Sequence, residues 1–315
     1  MSTLLEESQG LLTKYPHEFG IELEMEFTKP WSPGQMYNSG SGWVVDSDGS
    51  LRKNGREFIS KGSGPTRSFV DLDNHLFELF RLLNCCELGG KPLPTSRCGM
   101  HLHLNMQNKT LDQIYNFICN WYAVETYLIP ENRKGSLFCI SGLEDGSPFD
   151  TLINSIMQNN STAYIKLFCG TLSSDNIKYS AMNVAPLKFL GSLEFRFMNS
   201  TTDMEEIHHW VMLIHKLFNK LSSIDPNEFL DSCLFGGSLN TLLNEVIDDN
   251  LLTHFDKVVD VENLFQVEDS HYIRHLIFTK EKFKESFFEK SEPINIAKKG
   301  RKYFFGSEQD SDLAV

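Results

Sequence analysis

The stretch Glu18-Phe-Gly-Ile-Glu-Leu-Glu-Met-Glu-Phe27 decides the fold. Apolar and polar residues alternate along it, and a period of two marks a strand with one buried face. Phe19, Ile21, Leu23, Met25 and Phe27 share one side. Glu22, Glu24 and Glu26 share the other, about 6–7 Å apart along the strand. Three carboxylates in a row repel one another unless water or a cation lies between them. Mg²⁺ and Mn²⁺ take oxygen ligands of this kind. The row therefore reads either as a solvated outer face or as one wall of a metal site.

Similar divisions recur downstream. Gly42-Trp-Val-Val45, Asp46-Ser-Asp-Gly49 and Arg56-Glu-Phe-Ile-Ser60 predict a hairpin that carries Glu57. In Cys98-Gly-Met-His-Leu-His-Leu-Asn105 the two histidines fall on one face and the leucines on the other. In Ser192-Leu-Glu-Phe-Arg-Phe-Met-Asn199, Glu194 and Arg196 lie opposite Leu193, Phe195 and Phe197. A further strand is expected at 178–184. Between the strands, apolar residues at helical spacing predict helices over 69–83, 114–128 and 207–218, and a fourth is read over 149–157. This order predicts an α+β domain at 15–222, a mainly helical extension at 223–305 and a disordered tail at 306–315.

Composition narrows the classes. Lysines and arginines number 29 against 42 acids, a formal charge of −13. Such a surface repels a phosphate backbone, so nucleic acid is not an expected partner. No apolar run is long enough to span a membrane. Met1-Ser-Thr-Leu-Leu-Glu-Glu7 has acids where a secretory signal has basic residues. The seven cysteines are odd in number and include no Cys-x-x-Cys pair, which predicts reduced thiols, a cytoplasmic setting and no structural zinc. No P-loop or Gly-x-Gly-x-x-Gly pattern is present.

Gathered into one concavity, the polar faces would hold Glu22, Glu24, Glu57, His101, His103, Glu194 and Arg196. That set suits two hard cations with imidazole as one ligand, beside a guanidinium suited to phosphate oxygens. Singly, the histidine pair also reads as locally hydrogen-bonded and Glu-x-Arg as an ion pair; their joint occurrence on strands favours a site.

Five motifs carry a family resemblance: Phe-Gly-Ile-Glu-Leu-Glu, Trp43…Asp48-Gly-Ser-Leu, Gly55-Arg-Glu-Phe-Ile-Ser60, Cys98-Gly-Met-His-Leu-His and Leu193-Glu-Phe-Arg-Phe. Their order resembles the amidoligase family, related to glutamine synthetase and glutamate–cysteine ligase, over residues 17–220. The resemblance implies a curved, mainly antiparallel sheet like the glutamine synthetase half-barrel, with helices on its outer face. It implies a ligase that joins a carboxylate to an amine through an acyl phosphate, using ATP and two or more Mg²⁺ or Mn²⁺ ions. Glu22, His101 and Glu194 are implied as ligands of the ion on the ATP phosphates, and Glu24 and Glu57 as ligands of a second. His103 would lie toward the nucleotide, and Arg196 would neutralise the transferring phosphoryl group. From their place near the hairpin tip, Asp48 or Asp46 would hold the incoming ammonium and take its proton, although Asp-Ser-Asp-Gly-Ser also reads as plain turn chemistry. Arg133 matches a family arginine but reads as a surface residue. The alternatives are a guanidino or other nitrogen phosphotransferase on the same fold and a non-catalytic binding protein.

Overall fold

β1 (Phe19–Phe27) is the axis of the molecule. Its apolar side chains Phe19, Ile21, Leu23 and Met25 are fully buried, as the alternation requires. In the computed structural model the described residues are 2–30, 42–52, 54–62, 66–84, 90–134, 136, 139–142, 179–235, 273–274 and 276–277. β1 pairs antiparallel with β3 (Arg56–Ser60) on one side and β5 (Gly99–Asn105) on the other. β2 (Trp43–Asp46) extends the sheet beyond β3, and β7 (Ser192–Asn199) then β6 (Met182–Asn183) extend it beyond β5. The two-residue β4 (Pro92–Leu93) pairs with the end of β1. Among the described residues the order is β2-β3-β1-β5-β7-β6, with β4 beside β1, an open sheet of seven strands whose strand pairs are antiparallel.

The apolar face of this sheet is covered by helices. α1 (Leu4–Glu7) is a single turn; α2 (Leu72–Asn84), α3 (Leu111–Leu128) and α4 (Met204–Leu221) are longer. α3 starts at Thr110, whose hydroxyl accepts the Gln113 N–H while the Gln113 side chain accepts that of Thr110, a reciprocal cap that satisfies two otherwise unpaired donors. Asp203 caps α4 through the N–H groups of Glu205 and Glu206. Rings join the two layers: Trp121 of α3 lies 5.0 Å from Phe195, and Trp210 of α4 lies 5.3 Å from Phe197.

A β-bulge interrupts β5 and β7. Met100 faces Met198 and Leu102 faces Phe195, so two steps on β5 match three on β7. His101 therefore stands opposite two residues, Arg196 and Phe197. A bulge bends its strand and re-aims the side chains beside it. Phe197 and Met198, consecutive and both apolar, are both buried beside it.

The fold is α+β with a mainly antiparallel sheet, as the sequence predicts. The strand expected at 178–184 is shorter, Met182–Asn183. Pro186 sits in the 3-10 turn Ala185–Lys188 directly after it, and proline has no N–H to extend a ladder. The core continues past residue 222: Phe229 and Leu230 of α5 (Pro226–Phe235) are buried in it with Ile273 and Leu276. The helix expected at 149–157, the loop at 31–41, the tail at 306–315 and most of 223–305 lie outside the described residues, as do Cys85, Cys86 and Cys169. Cys98, Cys119, Cys139 and Cys233 form no disulfide among the described residues. Among the described residues no helix is long and apolar enough to cross a membrane.

Candidate metal centre

Strand register assembles the polar face. β1 sets Glu22 beside His101 of β5 and Glu24 beside Glu57 of β3. β5 and β7 pair His103 with Glu194, and β6 adds Asn183 beside Glu194. Directly opposed residues in an antiparallel pair have Cβ atoms about 4.5–5.5 Å apart, so these side chains meet. His101 Nδ1 lies 3.1 Å from Glu22 Oε2 and 3.7 Å from Glu194 Oε1. His103 Nε2 lies 3.5 Å from Glu22 Oε1 and 3.9 Å from Glu194 Oε1. Arg196 Nη1 donates to Glu194 Oε1 at 2.5 Å, and the Asn183 amide donates to the other oxygen at 2.6 Å. The Gly99 N–H donates to Glu24 Oε2 at 2.7 Å. The face opens into a cleft of about 330 Å³ lined by Glu22, Glu24, Asp48, Gly49, Ser50, Glu57, Arg97, His101, Arg133, Tyr179 and Arg196.

The donors form three overlapping groups: Glu22, His103 and Glu194; Glu22, Glu57 and His101; and Glu24, Asp48 and Glu57. Within each, one ligand atom per residue lies within 4.8 Å of the others. Glu22 and Glu57 each belong to two groups, so the donor row is continuous. Five carboxylates and two imidazoles, with no described cysteine among them, make a donor set for Mg²⁺ or Mn²⁺ rather than for a soft ion.

Electrostatics keep Glu22 and Glu194 ionised. Burial opposes ionisation of Glu22, but hydrogen bonds from His101 and His103 outweigh it and hold the carboxyl well below the usual range. Burial also opposes ionisation of Glu194, and the Arg196 guanidinium beside it overcomes this, lowering its pKa. The same pair raises Arg196 against the pull of burial. His103 is raised as well: burial favours its neutral form, but the Glu22 hydrogen bond and the Glu194 charge prevail.

Every residue named as a candidate from the sequence lies on this face or its rim. Glu22, His101 and Glu194 come together, and His103 approaches the same two carboxylates slightly less closely. Asp48 shows its turn chemistry and a placement not anticipated from the sequence. Its carboxylate accepts the Ser50 N–H at 2.6 Å, a turn-stabilising bond, and also belongs to the group with Glu24 and Glu57. Glu26 is turned to a different task, accepting from Arg52 N and Nη1 at 2.9 and 3.3 Å.

The surface reading of Arg133 is corrected. It is 3% exposed, lines the cleft, and donates through Nη2 to the Arg196 carbonyl at 2.9 Å. The 3-10 turn Glu131–Arg133 after α3 carries it there, and no periodic pattern announces such a turn. Asn183, Ser192, Arg97 and Tyr179 were not anticipated. Asn183 holds Glu194; the Ser192 hydroxyl lies 3.3 Å from His103 Nδ1; Arg97 Nε donates to the Ser50 carbonyl at 3.0 Å, tying the hairpin turn to the cleft. The residue facing Glu194 across β6 and β7 could have been found only from the register. No family model and no curated protein matches the chain.

Proposed function

We propose that the chain is an ATP-dependent carboxylate–amine ligase with the sheet architecture of glutamine synthetase. One observation carries the reading: three overlapping groups of metal-ligating donors run across the polar face of an antiparallel sheet, two of them lining one cleft beside guanidinium groups and the third joined to it through Glu22. A carboxylate is a poor acyl donor because its oxygen does not leave. If a carboxylate oxygen attacks the γ-phosphorus of ATP, ADP leaves and an acyl phosphate forms. The amine then attacks the acyl carbon and phosphate leaves. Such chemistry asks a protein for positioning and charge neutralisation more than for covalent work.

Glu22, His103 and Glu194 would hold one Mg²⁺ or Mn²⁺; Glu24 and Glu57 would hold another, with His101 and Glu22 between them. Bound there, the ions would neutralise phosphate and carboxylate charge. His101 keeps Glu22 ionised through its Nδ1, and Asn183 and Arg196 orient Glu194. Asp48, on the hairpin turn at the rim, takes the proton that the attacking ammonium must lose.

The test is Mg²⁺-dependent ADP release screened against pools of carboxylates and amines, with Glu194→Ala as control. Hydroxylamine in place of the amine should yield a hydroxamate. ADP release that yields a phosphorylated amine and no hydroxamate would instead identify a nitrogen phosphotransferase. Background turnover with every pair, together with no Mn²⁺ binding, would leave a non-catalytic protein.

A further inference from the structure

Glu26, the third acid of the β1 row, belongs to none of the donor groups. The β1–β3 ladder runs from Glu22 opposite Ile59 to Met25 opposite Arg56. β2 and β3 pair only as far as Asp46 opposite Glu57. Glu26 and Phe27 therefore outlast the β3 ladder, and the hairpin turn that follows Asp46 has no ladder to place it.

Side chains place it instead. Glu26, 4% exposed, accepts the Arg52 N–H through Oε1 at 2.9 Å and Arg52 Nη1 through Oε2 at 3.3 Å. Asn54 donates to the Phe27 carbonyl at 3.3 Å, and Arg97 Nε to the Ser50 carbonyl at 3.0 Å. The turn is tight as well as tethered: the Arg52 carbonyl accepts the Gly55 N–H at 2.7 Å, and a Cβ on Gly55 would collide with Leu51. Hydrogen bonds that involve a charged group are roughly twice as strong as neutral ones, which singles out Glu26 and Arg97. Arg97 is exposed on the loop before β5, whereas Glu26 is buried on the central strand. The residues so held include Asp48, Gly49 and Ser50, which line the cleft. Asp48 accepts the Ser50 N–H through Oδ1; its other oxygen has no hydrogen-bond partner among the described residues.

We propose that Glu26 is a positioning residue for the amine half of the reaction: through Arg52 it fixes the turn, and the turn fixes where Asp48 meets the ammonium. The inference rests on the ligase reading and gives a task to the one acid of β1 that this reading leaves unused. The ammonium gives a proton to the Asp48 carboxylate. The nitrogen lone pair then forms the C–N bond while phosphate leaves with the electrons of the acyl C–O bond. A turn displaced by about 1 Å misplaces this proton acceptor and leaves the donors on the sheet where they are.

Hydroxylamine is the probe, with the pool of carboxylates, ATP and Mg²⁺, because it is protonated at mildly acidic pH and a free base at mildly alkaline pH. Only the protonated form needs a proton acceptor. In the full chain, Glu26→Ala is expected to raise the KM for hydroxylamine on the order of tenfold at acidic pH and within about twofold at alkaline pH. The KM for ATP should hold at both, and a loss of packing alone would not recover with pH. Glu26→Gln keeps one acceptor and should lose less; Arg52→Met keeps the backbone N–H and should lose least. In the wild-type chain the Arg52 N–H should exchange slowly with solvent although it lies outside every ladder, a readout that needs no variant to fold. An unchanged KM at acidic pH, an equal rise at both pH values or fast exchange at Arg52 would overturn the inference and leave the ligase standing. No ADP release from the wild type, with Arg52 protection that Glu26→Ala abolishes, would overturn the ligase and the amine role together and leave only a tethered turn.

Discussion

The two faces of β1 are made by the same nine residues and obey opposite rules. On one face Phe19, Ile21, Leu23 and Met25 meet rings and aliphatic chains and are wholly removed from water. On the other, Glu24 stands directly opposite Glu57 and Glu22 opposite His101. The apolar face lowers the free energy of the fold with every contact. The polar face sets like charges side by side, which destabilises a strand pair. Stability is supplied by one face and spent by the other on a site.

Histidines extend the contrast. His75, on α2, stacks on Trp43 with ring centroids 4.3 Å apart; burial first, and Arg67 second, drive its pKa down to about 3. His17 is lowered to about 4 for the same reasons. His103, facing Glu22 and Glu194, is raised. One side chain type thus titrates in opposite directions according to the charges that face it.

The comparison can be broken from either side. The largest effect is expected for Phe195→Ala, which empties the space between Trp121 and Phe117; it should cost about 3–5 kcal/mol in urea denaturation while Mn²⁺ affinity of the folded fraction is kept. Glu22→Gln should reverse this pattern. It belongs to two donor groups, so Mn²⁺ affinity should fall on the order of 100-fold. Its stability loss should be smaller than that of Phe195→Ala and comes from the lost ion pairing to His101 and His103. Equal damage to both properties in either variant would mean that the two faces are not separable.

A third effect is a pH dependence of the metal-free chain. Between the ordinary histidine value of 6.5 and the ordinary glutamate value of 4.5, the unfolded chain takes up protons at His17 and His75 that the folded chain refuses. Stability should therefore fall as pH drops through this window, by about 2 kcal/mol or more. His103 has the other sign: its contribution is complete below 6.5 and disappears as pH rises through its raised pKa. The urea midpoint measured from pH 4.5 to 8 checks both, and His75→Phe should flatten the acidic limb. A level acidic limb in the wild type would count against the buried, neutral histidines. The smallest effect is expected for Glu57→Gln, which relieves the Glu24–Glu57 opposition and should raise metal-free stability by about 0.5–1 kcal/mol while weakening Mn²⁺ binding. A destabilised variant would show that the pair is held by something other than a cation.

Much of this was legible before any coordinates. The alternation in Phe19–Phe27, Gly99–Asn105 and Ser192–Asn199 placed Glu22, His101, His103 and Glu194 on polar faces, and each is found there. Helices α2, α3 and α4 followed from apolar spacing. Arg133 was misread because it follows α3 in a turn, where neither helical nor strand period assigns a face. Asn183 was missed because an amide in a two-residue strand carries no chemical signature until Glu194 is placed beside it. The bulge was invisible, since an extra residue in β7 is defined only by its partner.

Local chemistry thus determined which side chains share a face: Cβ direction alternates along a strand whatever the strand pairs with. Pairing itself joins Glu22 to His101 and His103 to Glu194 across long separations in the chain. It depends on which strands become neighbours, in what register and with what bulge, and these are properties of the whole packed sheet. The donors were written in the chain; the distances between them, and the burial of Arg133 beside them, came only with the tertiary structure.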